Sequence, residues 1–295
     1  DAMRTRFLPQ PQESVDDDGW PASSEVKGRA WIFTSATLGH DAELSWFVKR
    51  CGLEGARILR VPSPFEYATQ AAVYVPEDFP SPSDPRHGSA VAALVADAAM
   101  SLSGRTLVLT TTLRAIAIIA QVLRQQLAQR GSHLDVLAQG EWPKLRLMER
   151  FRAGAGPQGG CILVASASFW EGFDVPGDAL QLVVIDKLPF PPPGDPLVEA
   201  RTLQIEQSGG SAFKEYALAE AAVALKQGAG RLIRHESDRG VLVVCDSRLV
   251  RMGYGKRLIA ALPPMRRLSG AEEFHAALED LASVTRTSTT DQTFL

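Results

Sequence analysis

The chain has 295 residues, of which 45% are hydrophobic and 22% charged, and its formal net charge is -3. That is enough apolar material for one large domain or two modest ones, and no apolar run approaches the roughly 20 residues that a membrane-spanning helix needs, so a cytoplasmic location away from membranes is expected. The charge balance argues against an indiscriminately basic nucleic-acid binder, while leaving room for a locally basic groove.

Asp1 to Leu8 reads as a short amphipathic helix with Met in third place and no basic-then-apolar leader, as if the chain were cut from a longer protein. Pro9 to Lys27, with its run Asp16-Asp17-Asp18-Gly19, has the composition of a solvated linker. The apolar run Ala30-Trp31-Ile32-Phe33 then predicts a strand ending in Thr34-Ser35-Ala36-Thr37, followed by a helix over Ala42 to Cys51 that Gly52 closes. A Pro-rich stretch, Pro76 to Pro85, suggests a boundary between lobes.

Beyond it, short apolar runs alternate with helical patterns. Helices are predicted over Ala90 to Leu102, Leu113 to Ala128, Lys144 to Phe151, Phe213 to Arg234 and Tyr254 to Leu262, and strands over Thr106 to Leu109, Asp135 to Ala138, Ile162 to Ala165, Leu182 to Ile185 and Val241 to Val244. Strands apolar on both faces, alternating with longer helices, predict an α/β fold: a parallel sheet covered by helices on both sides. The polar stretch after Ser283 predicts a frayed tail. Cys51, Cys161 and Cys245 are isolated and form no metal-ligand set; Cys161 and Cys245 lie in strand-like runs and read as small core residues.

Four loops could carry chemistry. In Gln227-Gly228-Ala229-Gly230-Arg231-Leu232-Ile233-Arg234, helical spacing would put Gln227, Arg231 and Arg234 on one face. Gly228 and Gly230 would each cost about 1 kcal/mol in a helix, which predicts a close approach to the backbone. Two guanidinium forks beside a glutamine suit a polyphosphate; a solvated face with ordinary surface arginines is the alternative. After the Ile162 to Ala165 strand come Ser168, Trp170, Glu171, Gly172 and Asp174, placed where open α/β sheets bind ligands. Glu171 and Asp174 could meet ribose hydroxyls or a metal-bound water, and Trp170 could stack on a base; equally, Pro176-Gly177 could be a plain turn and Trp170 core. Thr34, Ser35 and Thr37, and likewise Thr110-Thr111-Thr112, form hydroxyl-rich loops that could meet phosphates, with a helix N-cap the alternative for Thr112. Gln139 is a comparable candidate for a backbone contact. The cluster Arg248, Arg251, Lys256, Arg257, Arg266 and Arg267 could extend a nucleic-acid track or be a solvated face.

Taken together in this order, these loops resemble those of the XPD/DinG-type superfamily-two DNA helicases. The stretch from Ser168-Phe169-Trp170-Glu171-Gly172 to Lys187-Leu188-Pro189-Phe190-Pro191-Pro192 is most similar to the YoaA/DinG branch, and the resemblance spans about Trp31 to Pro264. It implies a RecA-like second motor domain, in which Thr34 to Thr37 correspond to motif III, Thr110 to Thr112 to motif IV, Ser168 to Asp174 to motif V, and Gln227 to Arg234 to motif VI. By the resemblance Arg231 and Arg234 are arginine fingers assisted by Gln227, while Glu171, Gly172, Asp174 and Gly230 face ATP. Thr34, Ser35, Thr37, Thr111, Gln139, Ser168 and Trp170 contact or couple to single-stranded DNA. The implied domains are a helix remnant and linker over 1-28, a motif III segment and crossover over 29-85, the C-terminal helicase domain over 86-268, and a terminal helix with tail over 269-295.

No GxxxxGK[ST] phosphate loop is present, since Gly253-Tyr254-Gly255-Lys256 lacks both spacing and hydroxyl. An acidic box for magnesium and a four-cysteine set for an iron-sulfur cluster are missing as well. The resemblance places all three in an upstream half: ATP and Mg2+ would be bound mainly by that RecA-like lobe, the cluster only there, and this chain alone would not hydrolyse ATP. Implied partners are single-stranded DNA, the upstream lobe, and replication or repair proteins, with 5′ to 3′ movement. The alternatives are a non-catalytic DNA- or protein-docking α/β module, or a nucleotide-cofactor enzyme, against which the missing glycine-rich first turn speaks.

Overall fold

The structure is a computed structural model describing residues 31–35, 43–154, 160–166, 169 and 179–291. Two compact units divide between Pro62 and Ser63. In the first, α1 (Ser45–Cys51) ends on Gly52, whose left-handed conformation (φ 63°) lets its N–H bond Val48 O. Residues 31–35 form no strand, contrary to the expectation from their apolar run, and Ile32 is 85% exposed. An apolar run becomes a strand only when neighbouring strands take up its backbone groups, and among the described residues no strand pairs with it.

The second unit holds a seven-stranded sheet in the order β3-β4-β2-β5-β6-β1-β7, parallel throughout. Its strands are β1 (Ala71–Tyr74), β2 (Thr106–Leu109), β3 (Asp135–Ala138), β4 (Cys161–Ala165), β5 (Leu182–Ile185), β6 (Gly240–Val244) and β7 (Arg266–Leu268). Side chains alternate between two cores. Leu107, Leu109, Leu163, Val183 and Ile185 face α5 (Lys144–Arg152), α7 (Leu218–Ala229) and α9 (Gly255–Ala261). Val108, Ile162, Val164, Leu182 and Val184 face α3 (His87–Ser101), α4 (Leu113–Gln129) and α10 (Ala271–Asp291). Burial on both faces is why these strands read as unbroken apolar runs. The α/β fold with helices on both sides is therefore present as expected. Cys161 and Cys245 are buried core residues; burial pushes the Cys161 thiol up to about 11 and raises that of Cys245.

Several elements differ from the sequence expectation. The proline-rich stretch Pro76 to Pro85 lies inside the second unit, because β1 precedes it and occupies an inner position between β6 and β7. Tyr74 stacks on Phe274 with ring centroids 4.6 Å apart, tying β1 to α10. That helix continues to Asp291 rather than fraying after Ser283. Short helices α2 (Tyr67–Gln70) and α8 (Arg248–Arg251) and the twelve-residue α6 (Pro196–Gln207) are additional; α6 starts on an Asp195 cap that accepts from the N–H groups of Leu197 and Val198. The helix foreseen over Phe213 to Arg234 begins with a π-helical turn, Phe213–Ala217, and ends at Ala229.

Two glycines let the backbone close up at the start of the sheet. A Cβ on Gly160 would lie 1.8 Å from Ser103 O, and Gly104, with φ +90°, would place one 2.5 Å from Cys161 N. The turn from α3 into β2 thus passes against the first residue of β4 with no room for a side chain.

Candidate functional site

The carboxyl ends of β2 to β6 carry a row of polar groups held by one another. At the end of β2, Thr110 N donates to Ala165 O of β4 (2.8 Å), and the Thr112 side chain caps α4 by accepting from Ala115 N. Thr111 N donates to Asp186 Oδ1 (3.1 Å), which also accepts from Lys187 N (2.8 Å). The Thr111 hydroxyl itself is turned inward, buried, with no hydrogen-bond partner among the described residues. At the end of β3, Gln139 Oε1 accepts from both Ser166 N (2.7 Å) and Ser166 Oγ (3.0 Å). Gln139 therefore fixes the first residue after β4, and Phe169 anchors the same loop in the core with Lys144 Nζ 4.9 Å from its ring centre. After β6, buried Asp246 accepts from Leu188 N and pairs with Arg248 at 2.6 Å.

Asp186 and Asp246 escaped the sequence reading, although each directly follows an apolar strand run, which is the signal that could have found them. Burial pushes the Asp186 carboxyl up to about 6 from its ordinary 3.8, against the opposing pull of Lys187 and of its hydrogen bonds. Between those values the folded chain holds a proton that the unfolded chain has released, so ionisation of Asp186 lowers stability as pH rises through this window. Asp186→Asn keeps an oxygen for Thr111 N and Lys187 N but cannot ionise. On going from pH 4 to pH 7, the variant should gain about 2 kcal/mol relative to wild type. Urea unfolding at both pH values measures this, and parallel pH profiles would contradict it.

The arginine segment is built differently from its expected helical face. Gln227 sits in the last turn of α7, but Arg231 and Arg234 lie beyond the helix end, half-buried, in the connection to β6. The physical reason is local competition. Arg234 N and His235 N donate to Asp238 Oδ2 at 2.7 and 2.8 Å instead of continuing the helical ladder. Gly230 takes an ordinary right-handed conformation (φ -67°), and a Cβ there would meet only Lys226 O and Gln227 O. Among the described residues no other element presses on Gly230, so the close approach predicted from its glycine is not seen there.

Nor do the arginines share an edge with the threonine and glutamine loops. They precede β6, at the amino-terminal edge of the sheet, where Gly240 lies opposite Ala71. The loop between β4 and β5 has its flanks at both edges: Ser166 follows β4 at the carboxyl end, and Leu180 and Gln181 lead into β5 at the amino end, where Gln181 O accepts from Val241 N. Ser168, Trp170, Glu171, Gly172, Asp174 and Thr37 lie outside the described residues. Thr34 and Ser35 belong to the other unit, in an exposed stretch without regular structure.

Of the basic cluster, Arg248 is committed to Asp246, Arg251 to Glu77 O and Asp78, and Arg257 to Lys214 O. Arg266 and Arg267 are exposed on β7. Arg231 and Arg234 follow the carboxyl-terminal, negative end of α7, an environment that favours cations and opposes a bare phosphate. An anion at this edge thus depends on the guanidinium groups.

Residues 95–265 match the family model of the helicase C-terminal domain. The chain is 43% identical over 241 residues to the ATP-dependent DNA helicase YoaA of Escherichia coli K12, covering 82% of this chain and 36% of that protein. It is 38% identical over 265 residues to the ATP-dependent helicase DinG of Mycobacterium tuberculosis H37Rv, covering 88% and 39%. The chain thus spans less than two-fifths of the length of these curated relatives. In fold it is similar to a solved structure named XPD_APO, with a TM-score of 0.50 and 18% identity, over 68% of this chain and 40% of that one.

Proposed function

The chain belongs to the helicase C-terminal domain family, and from that premise we propose that it is the second, RecA-like motor lobe of an ATP-dependent DNA helicase. ATP lies between this lobe and an upstream one, with Arg231, Arg234 and Gln227 supplied from this side. The observation that carries the reading is the Gln227 to Arg234 segment, in which Arg231 and Arg234 follow just past a helix end and the backbone at Arg234 is held by Asp238. Arginine is always charged and its planar fork matches phosphate oxygens, so a cleft that closes on ATP brings in positive charge where negative charge develops in the transition state. The carboxyl-edge loops, with Thr111 and Gln139, line the path of single-stranded DNA together with Ser168 and Trp170. Glu171, Gly172, Asp174 and Gly230 face the nucleotide, and Thr34, Ser35 and Thr37 couple the two. Closure and opening of the cleft step the lobe along the strand, 5′ to 3′ as the family resemblance implies.

Magnesium and an iron-sulfur cluster are assigned to the upstream half. Among the described residues no group of three or more His, Cys, Asp or Glu could hold a metal ion, and the three cysteines lie far apart in sequence. The chain by itself should release no phosphate from ATP, with or without single-stranded DNA, whereas the full-length protein should do so with stimulation by DNA. A phosphate-release assay decides it: turnover by this chain alone, or none by the full-length protein on DNA, would overturn the lobe assignment.

A further inference from the structure

Gln70, at the end of α2 and the threshold of β1, is 5% exposed and carries no sequence signal of its own. Its Nε2 lies 3.1 Å from His235 O, 2.9 Å from Glu236 O and 3.2 Å from Asp238 O, across more than 160 residues of chain. One amide nitrogen has two hydrogens, so three carbonyls share them. Carbonyl oxygens that converge on one point repel each other unless a donor sits between them. The same short loop is held from its other side by Asp238, whose carboxylate takes the N–H groups of Arg234 and His235. Arg239 adds an exposed tie from its guanidinium to Thr69 O (3.3 Å).

We propose that Gln70 is a positioning residue for Arg234, acting through the three carbonyls of the His235–Asp238 loop. The proposal rests on the reading of Arg234 as a group that meets the phosphates. Asp238 fixes the backbone N–H groups, while Gln70 fixes the carbonyls and sets where the whole loop stands against the sheet. Without the Gln70 amide the carbonyls move apart, the loop opens, and the Arg234 guanidinium leaves the place it must occupy when the cleft closes. A misplacement of about 1 Å at such a group can cost about 100-fold in rate, while ground-state nucleotide binding is carried by the phosphate loop of the upstream lobe.

The test uses the full-length protein on saturating single-stranded DNA. Gln70→Met removes the donors and nearly keeps the volume; Gln70→Asn keeps the amide but shortens its reach, and carries the test if the first variant does not fold. Turnover should fall about 10- to 100-fold for Gln70→Met, and less for Gln70→Asn. The KM for ATP and the affinity for ADP should stay within about twofold, while affinity for ADP with aluminium fluoride falls in step with turnover. Adding Gln70→Met to Arg234→Ala should slow the enzyme no further. Wild-type turnover in the Gln70 variants beside an inactive Arg234→Ala enzyme would overturn this inference alone. Equal losses of ADP affinity and turnover would overturn it too, because a residue that only positions Arg234 leaves ground-state binding in place. Wild-type turnover in Arg234→Ala would instead overturn the arginine reading beneath it.

Discussion

Arg234→Ala in the full-length protein should lower DNA-stimulated ATP hydrolysis by about 10³-fold or more, with nucleotide affinity changed only severalfold. The magnitude follows from what a guanidinium does in phosphoryl transfer. It adds a fixed positive charge to oxygens whose charge redistributes in the transition state, inside a cleft from which closure has expelled water. The backbone of Arg234 is already held by Asp238, so alanine removes the charge without releasing the loop. Arg234→Lys should restore little, since an ammonium lacks the planar fork. Steady-state phosphate release together with fluorescent-nucleotide binding separates the two effects. Loss of binding in proportion to turnover would mean that Arg234 holds the ground state, and undiminished turnover would remove it from the reaction.

Gly160→Ala should destabilise the second unit by about 3 kcal/mol or more, the upper part of the range for overpacking a closed site. The added carbon would meet the backbone of Ser103, its oxygen at 1.8 Å and its carbonyl carbon at 2.7 Å, rather than a side-chain tip that could swing away. Relief requires moving either the turn between α3 and β2 or the start of β4. Both are tied: within the turn Gly104 N donates to Ala99 O, while Gly160 O accepts from Asp135 N and β4 is paired on both sides, to β2 and to β3. Gly104→Ala should be similarly costly, because it combines a clash with a left-handed backbone. Urea unfolding gives the difference, and a Gly160→Ala chain within about 1 kcal/mol of wild type would show that the contact relaxes at little cost.

Long periodic helices and doubly buried strands were legible in the sequence because burial on both faces leaves an unbroken apolar run, as in Leu182 to Ile185 and Val241 to Val244. β1 was not. Ala71 to Tyr74 stands before prolines that read as a boundary, and its place between β6 and β7 is set by tertiary pairing alone. The start of α6 is marked in the sequence by Asp195-Pro196, an acceptor cap followed by a proline. The end of the helix before Arg231 was hidden for another reason: a spacing of four then three suits a helix, and only Asp238, four residues beyond Arg234, reveals the competitor for its N–H groups. Gln70 could not be found from sequence, since its partners lie more than 160 residues away and are all main-chain oxygens.

The inner position of β1 sets where the folding unit really starts. The family model matches from residue 95, yet the sheet recruits a strand encoded at 71–74 and closes with β7 and α10 past residue 265. A piece trimmed to the matched limits would keep β6 with its outer flank stripped, a row of bare amides and carbonyls ready to zip onto another copy and carry the material into aggregates. The matched core alone is a sheet with an open seam, so a stable fragment of this lobe should begin no later than about Ser63.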